Sequence, residues 1–240
     1  MKKILSNIII GTGFIAKNFD NYKKELKKLN VCLYAAGVSN SQINDEDLLI
    51  KERKKLLDFS RQFNQKKKLV YISTCGVLDA SRKNNPYNKN KLQIENMIQK
   101  KFNKFLIIRF PEVVGKNDNK TTLTNFLYHK IKNKKKFYVW KQAKRNIMDI
   151  QDIVLITMSF LSDKNLNNRK INIANPINNS VIEIVKNFEK LSDVKANYTL
   201  IDKGHNGCLI DISEISKIIK KKKIHFNKNY LYKVLKKYYF

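Results

Sequence analysis

The segment ILSNIIIGTGFIA, residues 4–16, decides the fold. Residues 4–10 form a largely apolar run that is typical of a buried strand, and the residues after the glycines begin an amphipathic helix. Between the two, Gly11 permits a tight turn and Gly13 lets the backbone approach a pyrophosphate, while Ala16 allows close packing of helix on strand. A strand, a glycine turn and a helix N-terminus in this order predict a phosphate-binding βα unit.

The same alternation of strand and helix patterns continues along the chain. Strands are predicted at residues 4–10, 31–35, 69–73, 105–109, 137–140 and 170–174. Amphipathic helices are predicted at residues 14–29, 45–65, 86–101, 121–132 and 152–161. Apolar strands separated by helices predict an α/β fold with a Rossmann-like, doubly wound parallel sheet, which binds ligands at the carboxyl ends of its strands.

The chain is long enough for one large domain with a smaller addition. From Ser180 onward the pattern is mostly helical. We therefore expect residues 1–115 to form the nucleotide-binding core and residues 116–240 to form a small, mostly helical substrate-binding part interwoven with the end of that core. A single domain of residues 1–240 fits the length equally well.

Composition describes a globular chain with few special features. Of the 240 residues, 42% are hydrophobic, which is enough for a sizeable core. No apolar stretch is long enough to span a bilayer. Cys32, Cys75 and Cys208 lack the paired spacing of zinc ligands. These features lead us to expect a cytoplasmic protein with reduced thiols, without a metal site and without a membrane partner.

A formal net charge of +29 raises the question of a polyanionic partner. The lysines are spread along the whole chain, and Asn, Ile, Phe and Tyr are abundant too, as the codons of an A/T-rich genome would favour. The densest lysine runs, 134–136 and 220–223, lie beside predicted helix ends and have few interleaved aromatic residues. Because no recognised nucleic-acid-binding motif accompanies the charge, nucleic acid is not an expected partner.

A second motif lies at the start of the third predicted helix. Asn85 is a good N-cap and Pro86 suits the first helical position, so a helix is predicted to begin there. Tyr87 and Lys91 are then neighbours on one helix face. The lysine ammonium and the positive helix N-terminus both stabilise a phenolate, and we expect them to lower the pKa of Tyr87 so that it exchanges protons near neutral pH.

A third motif, at the end of a predicted strand, supports a catalytic interpretation of the Tyr87–Lys91 pair. The predicted strand at residues 69–73 runs into Thr74, which would lie at its carboxyl end. A hydroxyl there can hydrogen-bond a substrate oxygen while a tyrosine delivers or removes the proton. A Tyr-x-x-x-Lys pair alone is also what any lysine-rich surface helix contains. The glycine turn, the hydroxyl and the Tyr87–Lys91 pair in this chain order form a specific combination.

Together these segments resemble the extended short-chain dehydrogenase/reductase family, in particular its NAD-dependent sugar epimerase/dehydratase branch. Residues 11–16 are similar to the family's G-x-x-G-F-I-G turn, residues 71–77 to YISSxxV and residues 85–91 to SPYxxSK. The resemblance extends along nearly the whole chain through four further segments, which are residues 34–37, 108–115, 145–153 and 211–213.

The resemblance implies an NAD(P)-dependent enzyme that acts on a nucleotide sugar, with NAD or NADP as its cofactor. It implies that Tyr87 is the general acid/base, that Lys91 is its partner and a contact of the cofactor ribose, and that Thr74 orients the substrate. Arg145 would contact the phosphates of the nucleotide sugar, a task that suits a guanidinium. The remaining cofactor contacts would be Gly11, Thr12, Gly13, Phe14, Ile15, Ala35, Ala36 and Gly37. Members often dimerise, but no interface can be identified from the sequence, so a homodimer stays open.

The chain also departs from the family pattern. Ile10 replaces the first glycine, and Glu112 replaces an asparagine near the diphosphate, which an acid would repel. Between the glycine turn and Tyr34 there is room for one helix only, so two early strands are expected to be missing and the adenosine end of the cofactor to be poorly held. Residues 30–34 offer no acid or base for the adenosine ribose, so the choice between NAD and NADP stays open.

The residues after Thr74 argue against one of the reactions known in this branch, the dehydratase reaction. Dehydratases of this branch have an Asp-Glu pair there, whereas this chain has Cys75 and Gly76. A ketoreductase and an epimerase both remain, and reduction is slightly favoured because a loosely held dinucleotide would exchange between turnovers. The alternative is a catalytically degenerate relative that senses cofactor or acts as a scaffold, which Glu112 and the early deletion favour.

Overall fold

A computed structural model describes residues 7–163 and 166–240 of the chain. The strands are β1 (Ile9–Ile10), β2 (Val31–Tyr34), β3 (Lys68–Thr74), β4 (Phe105–Phe110), β5 (Glu112–Val114), β6 (Phe137–Trp140), β7 (Lys144–Asp149), β8 (Arg169–Asn172), β9 (Asn178–Ser180) and β10 (Tyr198–Ile201). The α-helices are α1 (Phe14–Asn18), α2 (Lys23–Lys28), α3 (Glu46–Gln62), α4 (Pro86–Lys101), α5 (Leu123–Lys132), α6 (Ile150–Leu161), α7 (Val181–Ser192), α8 (Ser216–Lys221) and α9 (Tyr230–Tyr239).

The main sheet has five parallel strands in the order β1-β2-β3-β4-β8. Strands β2 and β4 are almost entirely buried, which explains their continuous apolar sequence. One face carries α1, α2 and α6 through side chains such as Ile15, Leu26 and Ile153. The other face carries α3 and α4 through Leu56 and Ile94. The prediction of a Rossmann-like parallel sheet covered on both faces is confirmed.

The strand order shows which strands are neighbours near the start of the chain. Strand β1 pairs directly with β2, with Ile9 opposite Leu33 and Ile10 opposite Tyr34, and only short helices lie between them. The expected absence of two early strands is therefore confirmed. The connections β1–β2, β2–β3 and β3–β4 each lead to the next strand in the same direction across the sheet. Helices α1 and α2 of the first connection lie on one face, whereas α3 and α4 of the next two lie on the other. Because the direction is the same and the face is opposite, the β1–β2 connection has the opposite hand from the two that follow it.

A second layer is built around its own apolar cluster, which includes Leu127, Ile147, Phe188 and Leu235. It contains the three-stranded sheet β5-β7-β9, the two-stranded parallel sheet β10-β6 and helices α5, α7 and α9. Strands β5, β7, β9 and β10 were not predicted. Strands β5, β9 and β10 have only three or four residues, and β7 begins with three polar residues that are only partly buried.

The predicted strand at residues 137–140 exists, but it does not extend the apolar parallel sheet. It pairs with β10 instead. Phe137 and Val139 are buried whereas Tyr138 and Trp140 are exposed, so the strand has the alternating pattern of a half-buried sheet. Only one face of this strand is therefore covered, whereas a strand inside the main sheet is covered on both faces.

Two other predictions need adjustment. Residues 14–29 do not form one helix, because α1 ends at Asn18 and a 3₁₀ turn at Asp20–Tyr22 precedes α2. The predicted first strand is described only from Asn7 onward, so the rest of that prediction lies outside the described residues. Within the described part of the chain, no helix combines the length and apolarity needed to cross a membrane.

Candidate active site

The glycine turn is built as the sequence predicted. Gly11 has φ +128°, and a Cβ there would lie 2.6 Å from the carbonyl oxygen of Ala35, so only glycine fits. Ala16 is buried where α1 packs on the sheet. A Cβ on Gly13 would meet nothing within 4 Å, so the backbone there faces open space. Helix α1 has only five residues, however, so its dipole is a smaller attraction for phosphate than a full helix would provide.

The other predicted cofactor residues lie next to this turn. The N–H of Ala35 donates to the carbonyl oxygen of Ile10 at 2.8 Å, which ties the ends of β1 and β2 together. Thr12 and Ala36 are exposed, Ile15 packs against the main core, and Gly37 is partly buried. The Phe14 ring fills the space beside Gly115, where a Cβ would be 2.5 Å from it. The segments 11–15 and 35–37 thus meet at the carboxyl ends of two neighbouring strands.

The N-terminus of α4 is tied to the turn after β3. Asn85 caps the helix by accepting from the N–H of Asn88 at 3.0 Å, and Pro86 is the first helical residue, as predicted. The side chain of Asn88 donates to the carbonyl oxygen of Gly76 at 2.8 Å, and the N–H of Gly76 donates to Oγ1 of Thr74 at 3.0 Å. This chain of bonds brings the helix turn that carries Tyr87 against the strand end that carries Thr74.

The two hydroxyls at the end of β3 have different surroundings. Ser73 is buried, and its Oγ donates to Oε1 of Glu95 at 2.7 Å. The Glu95 carboxylate also accepts from Nε and Nη2 of Arg109, at 2.9 and 2.6 Å. Thr74 is only partly buried and accepts one bond, and a hydroxyl can also donate. Of the two, Thr74 is the residue placed to meet a ligand.

Tyr87 and Lys91 lie on one face of α4, with the Lys91 Nζ 5.2 Å from the centroid of the Tyr87 ring. The direction of the pKa shift differs from our expectation. Burial raises the pKa of Tyr87, the Lys91 ammonium opposes this, and the carboxylates of Glu52 and Glu112 add to the rise. The lysine does favour the phenolate, but the sequence did not reveal the desolvation and the two carboxylates that outweigh it.

Lys91 is held in a buried ion pair that sequence reasoning missed. Its Nζ donates to Oε1 of Glu52 at 2.7 Å and to the hydroxyl of Tyr71 at 3.3 Å. A Cβ on Gly37 would lie 2.4 Å from this nitrogen, so the ammonium is sealed beneath the Gly37 backbone. The Lys91 side chain is only 3% exposed in this arrangement, and its contact with a cofactor ribose stays a prediction.

One signal for Glu52 was present in the sequence. Residues Leu49, Glu52 and Leu56 follow the spacing of one helix face, and all three are buried in α3. A carboxylate at a core position of an amphipathic helix requires a cationic partner. The sequence could not say that this partner would be Lys91, because the two residues are on different helices.

The predicted phosphate contact Arg145 is on β7 and partly buried, and its Nη1 donates to the carbonyl oxygen of Lys144 at 2.8 Å. Burial lowers its pKa, and the nearby charge of Arg82 lowers it further, while Glu112 acts in the opposite direction. Oε1 of Glu112 accepts from the N–H of Leu123, the first residue of α5, at 3.3 Å. Two guanidinium groups and two carboxylates, Glu112 and Asp79, thus share this side of the site, and neither Arg82 nor Asp79 was identified from the sequence.

A parallel sheet covered on both faces, with a glycine turn after its first strand, defines a Rossmann-like nucleotide-binding α/β protein. Within this class, the chain belongs to the NAD-dependent epimerase/dehydratase family, whose model matches residues 20–174. The matched range begins after the glycine turn. A comparison with curated protein sequences gave no match.

Several solved structures share the fold. A UDP-glucuronic acid 4-epimerase from Bacillus cereus, in complex with UDP-glucuronic acid and NAD, is 21% identical with a TM-score of 0.69, over 90% of this chain and 76% of that one. A UDP-glucose 4-epimerase from Thermotoga maritima, with UDP-glucose, is 14% identical with a TM-score of 0.71, over 96% of each chain. RMD from Pseudomonas aeruginosa, complexed with NADPH, is 13% identical with a TM-score of 0.67, over 86% and 79%.

Proposed function

We propose that this protein is an NAD(P)-dependent enzyme that oxidises or reduces a carbon of a nucleotide sugar, as a ketoreductase or an epimerase, through Thr74, Tyr87 and Lys91. One observation carries the proposal: the glycine turn and the Thr74–Tyr87–Lys91 set lie at the carboxyl edge of one parallel sheet. Family membership and the ligands of the similar structures, which are NAD, NADPH and UDP-sugars, support it.

The residues present fit the pyrophosphate and nicotinamide side of a dinucleotide. The open backbone face at Gly13 leaves room for a phosphate, and the strand ends at Gly11 and Ala35 meet beside it. The adenosine side is different, because within the described residues the sheet ends at β1. Residues 11–15 and 35–37 would hold the cofactor, and when bound it supplies or accepts the hydride. Either NAD or NADP agrees with these contacts.

The acid–base work falls to the chain itself. In reduction, the hydroxyl of Tyr87 donates its proton to the carbonyl oxygen of the keto-sugar as that carbon gains a hydride. The product is an alcohol and a Tyr87 phenolate, which takes a proton back from solvent. The Lys91 ammonium stabilises the phenolate, and Thr74 hydrogen-bonds the reacting oxygen. In epimerisation Tyr87 acts first as base and then as acid on the same oxygen.

The arginine side of the site suits an anionic substrate. Arg145 and Arg82 place two guanidinium groups near one another, which lowers the pKa of Arg145 and would be relieved by a phosphate. The Glu112 carboxylate accepts a hydrogen bond from the first N–H of α5 and adds a negative charge to the same region. We infer that a diphosphate would bind at the guanidinium groups of Arg145 and Arg82.

A non-enzymatic relative that senses cofactor or acts as a scaffold is the second candidate. It is favoured by Glu112, by the buried position of Lys91 and by the sheet that ends at β1. The partly exposed Thr74 and its link to the start of α4 favour the enzyme.

The first experiment is a titration of the purified protein with NADH and with NADPH, following nicotinamide fluorescence at moderate salt. We expect saturable binding that Gly13→Asp weakens at least tenfold, because a carboxylate there would repel the pyrophosphate. Gly13→Ala is the matched control, since a Cβ at this position meets no neighbouring atom. Its methyl group takes up some of the room left for the phosphate but carries no charge, so it should weaken binding clearly less than Gly13→Asp does.

The outcomes separate the two candidates. Binding together with conversion of a keto-sugar nucleotide by the natural chain, but not by Tyr87→Phe, supports the enzyme. Binding without turnover of any UDP-sugar tested favours the sensor. A folded protein that carries no bound nucleotide and binds neither dinucleotide would exclude both the reductase and the epimerase.

A further inference from the structure

The Lys91 ammonium is enclosed by groups from three different elements. Glu52 on α3 accepts from it at 2.7 Å, Tyr71 on β3 accepts at 3.3 Å, and the backbone of Gly37 covers it. The second carboxylate oxygen of Glu52 accepts from Nδ2 of Asn90 at 2.8 Å, so the carboxylate is fixed at both oxygens. The Glu52 and Lys91 side chains are 5% and 3% exposed.

The Glu52–Lys91 pair is a buried ion pair, unlike the ion pairs that neutralise lysines at a protein surface. A buried ion pair costs desolvation energy and is kept only where its geometry is good and its remaining hydrogen-bonding groups are satisfied. Here a single carboxylate determines where a charge sits beside Tyr87. We propose that Glu52 is the positioning residue of the site, which holds the Lys91 ammonium beneath Gly37 and beside the Tyr87 ring. The proposal rests on the proposed function, in which Tyr87 exchanges the proton.

The charge of Glu52 also acts on Tyr87. Burial raises the pKa of Tyr87, Lys91 lowers it and Glu52 raises it, so the carboxylate cancels part of the lysine's effect. Burial alone would lower the pKa of Lys91, but Tyr71, Tyr87 and Glu52 outweigh it and raise the pKa, which keeps the ammonium charged. The titratable and charged groups that act on Tyr87 are Lys91, Glu52, Glu112, Arg82 and Tyr71.

In Glu52→Gln the amide oxygen can still accept from Nζ of Lys91, so the ammonium stays beside Tyr87 while its counter-charge is lost, and the pKa of Tyr87 should fall. Neutralising one close charge shifts a buried group by about 1 pH unit or more. Glu52→Leu removes the acceptor as well as the charge, so the ammonium is no longer held beside Tyr87 and the pKa of Tyr87 should rise instead. If Glu52 acted only through its charge, the pKa of Tyr87 would fall in both variants.

The test uses the whole chain labelled with ¹³Cζ-tyrosine and ¹⁵Nζ-lysine. Loss of a signal in Tyr87→Phe and in Lys91→Met assigns the two groups, and pH titration follows Tyr87 in the natural chain and in Glu52→Gln. Glu95→Gln is the matched control, because Glu95 is also a buried carboxylate paired with a cation, Arg109. We expect a downward shift in Glu52→Gln and none in the control.

Asn90→Ala keeps the proposal testable if Glu52→Gln does not fold. It frees one oxygen of the carboxylate and leaves both charges in place, so the protected Lys91 ammonium signal should broaden through faster proton exchange. An unchanged Lys91 signal in Asn90→Ala, or a Tyr87 pKa that rises or stays constant in Glu52→Gln, would overturn the proposal. Because these readouts need no cofactor, they stay separate from the NADH titration, whose failure would count against the proposed function alone.

Discussion

Ser73 and Thr74 carry the same functional group at adjacent positions of β3, and the alternation of a strand gives them opposite environments. The Ser73 hydroxyl points into the sheet face covered by α4 and completes the Glu95–Arg109 pair. The Thr74 hydroxyl bonds the turn that leads towards the start of α4. The sequence indicated a strand that ends in hydroxyls, and the strand period then decides which of them meets a ligand.

Substitution of Ser73 should affect stability, whereas substitution of Thr74 should affect turnover. Ser73→Ala removes a hydrogen bond to a buried carboxylate and should cost about 1.5–3 kcal/mol of unfolding free energy, with turnover retained. Thr74→Val keeps the shape and removes the hydroxyl, so it should lower kcat by about 100-fold with a small change in stability. Urea unfolding and NAD(P)H oxidation with a keto-sugar nucleotide measure the two effects. Normal turnover in Thr74→Val would remove this residue from the proposed site.

At the scale of helices and strands, the sequence was most informative where burial is continuous. Strands β2 and β4 were found because both of their faces are covered. Helix α4 was found because Asn85 and Pro86 mark its start. Strand β9, with the sequence NNS, carries no apolar signal at all. The contact between Glu52 and Lys91 joins two helices and depends on their packing, which no local pattern contains.

Helix α9 is attached to β7 and α6 by a compact polar cluster. The Tyr230 hydroxyl accepts from the N–H of Asp149 at 3.0 Å and donates to Oδ2 of Asp152 at 2.6 Å. Asp149 also accepts from the Tyr238 hydroxyl and from the Lys237 ammonium, at 2.6 and 2.7 Å. Since α9 belongs to the cluster that supports β5 and β7, this attachment fixes the strands that carry Glu112 and Arg145.

We expect Tyr230→Phe to lower the unfolding free energy by about 1–3 kcal/mol, because it leaves a buried N–H and a carboxylate without their partner. Burial raises the pKa of Asp152, and the Tyr230 bond opposes that rise. A carboxyl with a raised folded pKa costs stability as the pH rises through that range, so the loss should be larger near pH 7 than near pH 4. Urea unfolding at both pH values checks this.

Tyr232→Phe is the control for this substitution. Tyr232 is on the same helix, and its ring lies under the ammonium of Lys190. Removing its hydroxyl should change stability by less than about 0.5 kcal/mol, as at other surface positions. An equal effect of the two substitutions, or a loss in Tyr230→Phe that does not depend on pH, would contradict the role given to the Asp149–Asp152 cluster.

For the molecule as a whole, the early deletion has a functional consequence. In a doubly wound sheet the dinucleotide lies across the point where the strand order reverses, and strands on both sides hold its two halves. In the described part of this sheet the strands follow one another in chain order and end at β1. A dinucleotide bound as proposed would meet strand ends with only one of its halves, while the formal charge of +29 attracts any anionic ligand.

The affinity should therefore depend little on the adenosine half. We expect NADH to bind within about tenfold of reduced nicotinamide mononucleotide, which corresponds to about 1.4 kcal/mol. Fluorescence titrations with both ligands near 0.15 M salt measure this, because exposed charges are then largely screened. Gly13→Asp should weaken both ligands alike, since each carries a phosphate at the nicotinamide side.

The same comparison bears on the choice of reaction. An epimerase must retain its dinucleotide while one carbon is oxidised and reduced again, whereas a reductase must release the oxidised form after every turnover. A weak adenosine contribution would favour reduction, with stoichiometric consumption of NAD(P)H and protein that purifies without bound nucleotide. The opposite result would be NADH that binds about a thousandfold tighter than the mononucleotide, a difference of about 4 kcal/mol. It would mean that residues outside the main sheet bind the adenosine, and it would favour epimerisation.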